Sequence, residues 1–379
     1  MKRPRLFPSE EAALRSGAAA ALFLVCFTLV HVWFWAHGQI SDVAEYRQYG
    51  DEIVHGGLVP YRDFAVDYPP GALPAFIVPE IAGAYTAAFE LFMAACGVVL
   101  VCVVGRIQPR AAWFVAVSPL LVGATIYTRF DLWPALLATA ALAALVSGRH
   151  KLGWGLLGVA IAAKAWPLVL VPLALVWSWR RGRRFAPLAG AGTLCAIVLP
   201  FVALSPHGVW ASVSNQTSRP PQIESLGASF VMTFGRPHVV DSHGSQNLGG
   251  HGWLGGASVL VAALVLLALW FAYARGVQTP ARLLRYAAAA TCAFVAFDKV
   301  LSPQFLIWLV PLVPLVRARR GVAAAGLLAV ALVLTQVWFP WRYWDYADRF
   351  HLAGVVLARD LVLVALLGAL ALRLRKLDA

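Results

Sequence analysis

Residues 253–273 read WLGGASVLVAALVLLALWFAY, a run without a single charged residue. A transmembrane α-helix needs about 20 consecutive, mostly apolar residues to cross the hydrocarbon core of a bilayer, so this run is long enough to cross once. Comparable runs recur along the chain of 379 residues, because 60% of it is hydrophobic and only 13% is charged. A soluble domain carries about 25% charged residues. We therefore predict that lipid covers much of this protein.

The predicted fold is all-α: a polytopic transmembrane helical bundle with about ten full spans, a broken helix pair and helical outer loops. Residues 1–379 are treated as one membrane domain. The first apolar run lacks a small-residue cleavage site, so we expect it to remain as a spanning helix. The predicted spans are Gly17–Ala36, Tyr85–Val104, Ala111–Tyr127, Leu132–Val146, Phe185–Leu204, Trp253–Tyr273, Leu283–Phe297, Pro303–Val316, Val322–Pro340 and Leu352–Leu372.

The stretch Leu152–Trp177 is apolar but is interrupted by Lys164 and Pro167. Proline breaks or kinks a helix, and a lysine at membrane depth is costly. We predict a helix pair that enters the membrane and returns, with Lys164 near its turn, so that both basic flanks lie on one side. These flanking residues are Arg149, Lys151, Arg180, Arg181, Arg183 and Arg184.

The net charge of +13 is spread over short clusters between the apolar runs rather than gathered on one surface. This pattern is typical of cytoplasmic loops and argues against nucleic-acid binding. With the N-terminus inside, most of the 31 Lys and Arg residues fall in inner loops, whereas only Glu10, Glu11 and Asp378 among the 18 acids do. Arginine and alanine richness fits a GC-rich bacterial genome. We predict a multi-pass protein of the bacterial plasma membrane with both termini cytoplasmic.

Two long outer segments are predicted, at 37–84 and 205–252. The first begins with SDVAEYRQYGDE, whose spacing predicts an amphipathic helix lying on the membrane, starting at Ser41 or Asp42 and ending at Gly56. Prolines stiffen the chain that follows. The segment therefore holds several carboxylates and tyrosines in a rigid frame at the headgroup level.

Asp42 follows the first predicted span and has two possible roles. As a general base, a carboxylate at the lipid–water boundary would accept a proton from an attacking hydroxyl group. As a helix N-cap, it would form a capping box with Glu45, three residues later. The spacing alone favours the cap, and the two roles are compatible.

Three cations lie where the topology does not predict them: Arg129, Lys164 and Lys299. Charges at membrane depth usually face a cavity or a partner, and several cations in one cavity would bind a phosphate. The alternative is internal ion pairing, of Arg129 with Asp131 and of Lys299 with Asp298. Lys164 has no acid near it in the sequence, which favours a functional role.

The second outer segment contains Asp241, His243 and His251, which could be metal ligands. Their spacing is not that of a compact metal site, so we predict neither a metal nor a cofactor. The chain has no phosphate-binding glycine loop and no nucleotide-binding fingerprint. An enzyme acting on the outer side would need a donor carried by a lipid.

Several patches between Ser41 and Leu312 resemble the polyprenol-phosphate-dependent glycosyltransferases of family 87, within the GT-C superfamily. The resemblance implies a polyprenyl-phosphate-sugar donor, commonly of mannose, and an acidic base after the first helix. By position this base is Asp42, so the resemblance favours the base over the cap. The patches are SDVAEYRQY (41–49), PYRDFAVDYPPG (60–71), TRFDLWP (128–134), AAKAWPLVLVP (162–172) and DKVLSPQFLIWLVPL (298–312).

The sequence thus predicts a membrane hexosyltransferase that acts on the outer face and passes a sugar to a cell-envelope glycolipid or polysaccharide. Asp42 would deprotonate the acceptor, and Arg129, Lys164 and Lys299 would bind the donor phosphate. The competing class is a transporter or flippase for a lipid-linked or anionic substrate. The residues predicted to contact substrate are Glu45, Tyr46, Arg62, Asp63, Asp67, Tyr68, Asp131 and Gln304.

Overall fold

The computed structural model describes residues 10–34 and 41–372, and most of them are helical. The predicted start of the first outer segment at 37, and the basic residues of both chain termini, lie outside the described residues. The helices are α1 (Glu10–Phe34), α2 (Val43–Val54), α3 (Pro74–Ile81), α4 (Tyr85–Ile107), α5 (Pro109–Val122), α6 (Thr125–Thr128), α7 (Leu132–Val146), α8 (His150–Ala163), α9 (Val171–Trp179), α10 (Pro187–Leu204), α11 (Pro206–Ser218), α12 (Leu226–Phe234), α13 (Gly252–Arg275), α14 (Pro280–Phe297), α15 (Ala318–Trp338), α16 (Tyr343–Ala347) and α17 (Ala353–Ala371).

Six of these helices are long and apolar enough to cross a membrane: α1, α4, α10, α13, α15 and α17. The apolar run 253–273 lies within α13, where Leu260 and Leu264 are 60% and 58% exposed. Such an apolar exterior is expected of a helix in contact with lipid. The predicted helical membrane bundle is confirmed, and its count of about ten spans stays a prediction.

Two predicted spans differ from the structure. Pro303–Val316 is not an α-helix but two 3-10 segments, Pro303–Trp308 and Val313–Leu315. Its prolines remove backbone donors and block a continuous helix. The predicted span Ala111–Tyr127 divides into α5 and α6 at Gly123, whose φ of 65° is outside the helical region.

The predicted break at Lys164 is confirmed. Helix α8 ends at Ala163, Lys164 is extended, and a 3-10 turn leads into α9. The start of α8 and the end of α9 lie side by side, because Nδ1 of His150 is 3.1 Å from Oγ of Ser178. The chain therefore reverses its direction at Lys164, which lies at the tip of the α8–α9 pair, far from His150 and Ser178.

Helix α2 occupies the predicted position and is amphipathic, as predicted, and its place on the membrane surface stays a prediction. Its apolar face is buried against the protein, and the ring of Tyr46 stacks on Phe76 with centroids 4.7 Å apart. The same ring contacts Phe89 and Phe130 at 5.5 and 5.6 Å. Aromatic burial therefore fixes α2 on the bundle.

The bundle has one basic end. Arg15, Arg110 and Arg317 line one cleft there, and Arg282 and Arg285 line its neighbour together with Arg317. Arg15 lies near the start of α1, while the chain beyond α1 leads to Asp42. A helix of 25 residues spans about 37 Å, so Asp42 and the arginine clefts lie at opposite ends.

The second outer segment contains α11, α12 and an antiparallel hairpin of β1 (Val239–Ser242) and β2 (Ser245–Leu248). It is fastened to the first outer segment in two places. Ser205 Oγ donates to the Tyr61 carbonyl at 2.9 Å, and Asn215 Nδ2 donates to Asp67 Oδ1 at 3.1 Å. The two outer segments thus form one cover over the end of the bundle that carries Asp42.

Candidate active site

A cavity of about 820 Å³ lies beneath this cover. Its walls come from the α1–α2 junction, the α6–α7 junction, the tip of the α8–α9 pair, the second outer segment and the chain after α14. Sequence-distant segments therefore meet at one place. The predicted site residues that line the cavity are Asp42, Glu45, Asp67, Tyr68, Arg129, Lys164, Lys299 and Gln304.

Asp42 and Arg129 form an ion pair in the wall of this cavity. Its Oδ1 lies 3.0 Å from Nη1 of Arg129, whose side chain is 5% exposed, while that of Asp42 is 26% exposed. The hydroxyl of Tyr46 points to the other carboxylate oxygen from 3.4 Å. The alternative pairing of Arg129 with Asp131 is wrong.

The capping interpretation of Asp42 is not supported by its contacts. Asp42 is the N-cap of α2, but its side chain makes no capping hydrogen bond. The neighbouring Ser41 accepts from the Val43 N–H at 3.2 Å instead. Glu45 does not complete a capping box, since it accepts from the hydroxyl of Tyr49 at 2.5 Å. The Asp42 carboxylate thus contacts side chains of the site rather than the amides of its own helix.

Lys164 has the acid partner that its sequence neighbours do not supply. Its Nζ donates to Oδ1 of Asp131 at 2.7 Å, and Trp308 Nε1 donates to the same oxygen at 2.6 Å. Aromatic rings surround the ammonium group, with Phe130 and Phe305 centroids at 4.7 and 5.6 Å. Asp131 is completely buried and does not line the cavity. Burial gives no support to its predicted contact with substrate, and its hydrogen bond positions Lys164.

Lys299 differs from Arg129 and Lys164, because backbone carbonyls rather than a carboxylate accept its hydrogen bonds. Its Nζ donates to the carbonyls of Thr217 and Arg219 at 2.7 and 2.8 Å, and not to Asp298. The predicted pairing alternative for Lys299 is thus not found. Both partners are neutral, so the ammonium charge is not cancelled by an ion pair at these contacts. Burial lowers the pKa of Lys299.

Arg219 is a second cation of this kind, and sequence analysis missed it. Its guanidinium donates to Gln216 Oε1 at 3.1 Å and to Ser245 Oγ at 2.7 Å, which are neutral acceptors. Within the described residues its Nε is buried without a hydrogen-bond partner. Arg219 and Lys299 therefore form a pair of cations with donor capacity left over at the cavity wall.

Two acids near these cations have raised pKa values, and of the two only Glu224 is mostly neutral at pH 7. Burial raises the pKa of Glu224 to about 8 and that of Asp298 to about 6. At neutral pH the carboxyl of Glu224 therefore holds its proton for most of the time, and it does not cancel the charge of Arg219. Burial also raises the pKa of Glu45, against the opposing hydrogen bond from Tyr49.

The remaining predicted residues do not line the cavity. Tyr46 is buried behind it and contacts Asp42, as described above. Arg62 and Asp63 bind each other at the surface through two hydrogen bonds of 2.9 and 2.8 Å. Asp63 also accepts from the Val59 N–H at 2.8 Å. These contacts shape the loop, and they give no support to the predicted contact of Arg62 and Asp63 with the sugar.

The histidines of the second outer segment are not gathered into a metal site. Among residues 10–34 and 41–372, the side chains close enough to share a metal ion are those of Asp51, His55 and Glu80, outside the cavity. His251 binds its own loop, since its Nδ1 lies 2.7 Å from the Gly249 carbonyl oxygen. The cavity is thus a site of carboxylates, cations and aromatic rings.

Glu224 and Arg219 carried little sequence signal. Glu224 precedes α12 and resembles any acid before a helix, a position where acids are favoured by the helix dipole. Arg219 lies in a loop rich in polar residues, where a solvent-exposed arginine is the ordinary expectation. Tertiary packing of the second outer segment against later parts of the chain makes both residues part of the cavity.

These features define a class of protein: an integral membrane protein with a polar cavity at one end, containing an ion-paired carboxylate and two cations that donate to neutral acceptors. The comparisons with known proteins narrow the class. The model of glycosyltransferase family 87 matches residues 66–303, which is more than half of the chain, and the chain belongs to this family. The resemblance drawn from the sequence patches is confirmed: the chain is a membrane protein of this glycosyltransferase family.

Among solved structures, the chain is similar to the arabinosyltransferase EmbB from Mycobacterium smegmatis. The sequences are 15% identical, the TM-score is 0.43, and the match covers 98% of this chain and 42% of the other. The chain thus spans well under half the length of that protein. No curated protein sequence matches the chain.

Proposed function

We propose that this protein transfers a sugar, mannose by family resemblance, from a polyprenyl-phosphate donor to a cell-envelope glycolipid or polysaccharide. Asp42 acts as the general base that deprotonates the attacking hydroxyl of the acceptor. The supporting observation is the cavity itself, in which Asp42 lies with Arg219 and Lys299. One group can accept a proton and the other two can bind a phosphate.

The contacts of the four cations suggest that two of them position other groups of the site and that the other two bind the donor phosphate. Arg129 and Lys164 already have carboxylate partners, Asp42 and Asp131. These pairs orient the base and the cavity floor, and together they add no net charge. Arg219 and Lys299 have only neutral acceptors, so the donor phosphate binds there. They also stabilise the negative charge that develops on the leaving phosphate.

The active site faces the outer side of the membrane in this proposal. The arginine clefts described above mark the opposite end of the bundle, and basic loops are retained in the cytoplasm. A prenyl chain inserted in the bilayer would bring its phosphate to the headgroup level, which is where the cover of outer segments lies.

The test uses the purified full chain in detergent with polyprenyl-phosphate mannose and a set of envelope glycolipid acceptors. Product formation, followed by mass spectrometry, supports the transferase. A transporter or flippase cannot produce a new glycosidic bond in the absence of a membrane. Failure to transfer mannose from this donor to any acceptor, while the folded protein binds neither donor nor prenyl phosphate, would overturn the proposal.

A further inference from the structure

Glu224 is a buried acid at the cavity that the proposed mechanism does not use. It lies in the loop before α12 and is 1% exposed, yet it is one of the residues that line the cavity. Its main-chain carbonyl accepts from Nη2 of Arg359 at 2.9 Å. Within the described residues, its side-chain Oε2 is buried and has no hydrogen-bond partner. A buried polar atom without a hydrogen-bond partner costs free energy, unless a bound ligand supplies that partner.

The same loop carries the cation pair. Arg219 precedes Glu224 by five residues, and the Gln222 N–H donates to the carbonyl of Lys299 at 2.9 Å. Ser302 Oγ also donates to Gln222 Oε1, at 3.2 Å. This short connection fixes the loop of Glu224 to the chain that supplies Lys299. A phosphate held by the two cations would therefore lie beside the Glu224 carboxyl.

The other charged and titratable groups around Glu224 lie on α16, on α17 and on the cavity side. On α17, Arg359 and Asp360 form a buried ion pair at 2.7 Å, and Asp360 accepts from Ser229 at 2.6 Å. On α16, the Tyr346 hydroxyl donates to the Ile223 carbonyl at 2.5 Å, and Tyr343 lines the cavity. Arg219 is the cation on the cavity side. The proton of a neutral Glu224 is thus available to a ligand.

We propose that Glu224 is a further catalytic residue, whose protonated carboxyl donates a hydrogen bond, and then its proton, to the leaving phosphate of the donor. The inference rests on the proposed function, because it requires a phosphate beside Arg219 and Lys299. An ionised carboxylate at this position would repel the phosphate, whereas a neutral acid is a donor. The raised pKa of Glu224, about 8, agrees with this geometry.

The bond between the anomeric carbon and the phosphate oxygen breaks, and its electron pair remains on that oxygen. The acceptor oxygen forms the new bond to carbon and gives its proton to Asp42. The prenyl phosphate gains one negative charge, which the proton from Glu224 cancels. Exchange with water then returns a proton to Glu224 and removes one from Asp42, so that no further reactant is needed.

The matched control is Glu80. Its carboxyl is also buried, at 9% exposure, and its Oε2 likewise has no partner within the described residues. It lies on α3 beside His55, at 3.4 Å, and does not line the cavity. Burial of a carboxyl is therefore common to both residues, and proximity to the cations is specific to Glu224.

The experiment measures kcat and kcat/KM against pH for the full chain in detergent, with polyprenyl-phosphate mannose. The wild type is expected to lose kcat at alkaline pH, and its kcat/KM, which reports the free enzyme, should fall with an apparent pKa near that of Glu224, about 8. Glu224→Gln keeps the shape and a hydrogen-bond donor but has no proton to give. We expect its kcat to fall about 100-fold, with little change in the donor KM, and the alkaline limb to disappear.

Glu224→Asp keeps the carboxylic acid and is expected to keep an alkaline limb at a reduced rate. A limb that persists in this variant shows that the change in Glu224→Gln comes from the missing acid and not from misfolding. Glu80→Gln is expected to retain the wild-type profile. An unchanged alkaline limb in Glu224→Gln would overturn the inference, and so would a rise of donor KM at unchanged kcat. Because these results require a wild type that transfers mannose, they are distinct from failure of the proposed function itself.

Discussion

Replacement of Asp42 by asparagine separates the chemistry of this residue from its structural role. The side-chain oxygen of the asparagine can still accept from Arg129, which in the wild type donates to Asp42 Oδ1 over 3.0 Å. The charge-assisted bond becomes a neutral one, so we expect a loss of about 1 kcal/mol in the free energy of unfolding. No capping energy is lost, because the carboxylate makes no capping hydrogen bond to α2.

The effect of Asp42→Asn on catalysis should be far larger. A positioned general base contributes about 10²–10⁴-fold to the rate, which corresponds to about 3–5 kcal/mol of barrier. We expect kcat for mannosyl transfer to fall by this factor, while donor affinity stays within about threefold, since the phosphate is held by other residues. Thermal unfolding in detergent would show the small stability change.

The matched control for this substitution is Asp63→Asn. Asp63 is in the same outer segment and also pairs with an arginine, Arg62, but it is at the surface and outside the cavity. Its transfer rate should equal that of the wild type. If Asp42→Asn transferred mannose at a rate close to that of Asp63→Asn, Asp42 would not be the base, and the assignment of the reaction centre would be refuted.

Three further substitutions probe the frame of the site. Lys164→Ala leaves the fully buried Asp131 without its cation, so we expect a loss of about 3 kcal/mol in unfolding free energy, read from denaturation in detergent. Lys299→Ala should raise the donor KM about tenfold without a comparable stability loss, and an unchanged KM would count against its phosphate role. Gly71→Ala would place a Cβ 2.5 Å from the α8 backbone, so transfer and stability should fall, whereas Gly192→Ala, which meets nothing within 4 Å, should behave as wild type.

The spanning helices could be predicted because lipid demands long apolar runs, and such runs are visible in the sequence. The predicted Trp253–Tyr273 lies within α13, and the predicted Leu132–Val146 coincides with α7. The break at Lys164 was visible for the same reason, since a charge and a proline interrupt an apolar run. Pro303–Val316 failed as a helix because hydropathy does not record the loss of backbone donors at proline.

The ion pairs could not be predicted, because they depend on which helices are neighbours. Arg129 is two residues from Asp131 but binds Asp42, and Asp131 binds Lys164, 33 residues away. Sequence separation favoured the local pairing, and packing placed each acid on the cation of another element. The burial of Glu224 could not be predicted for a related reason. It is created by α16 and α17, which come more than a hundred residues later in the chain.

A cation in an ion pair and a cation bound to neutral groups act differently on a charged substrate. A buried ion pair such as Lys164 with Asp131 adds little net field, and its value is to fix geometry at a cost in desolvation. Arg219 and Lys299 donate to neutral acceptors, and burial keeps the nearby Glu224 mostly neutral, so neither cation forms an ion pair at these contacts. A phosphate at the membrane surface would respond to this second pair. The cavity can therefore orient a base with one set of cations and attract an anionic lipid donor with the other, which is the separation that transfer of a sugar from a phosphate requires.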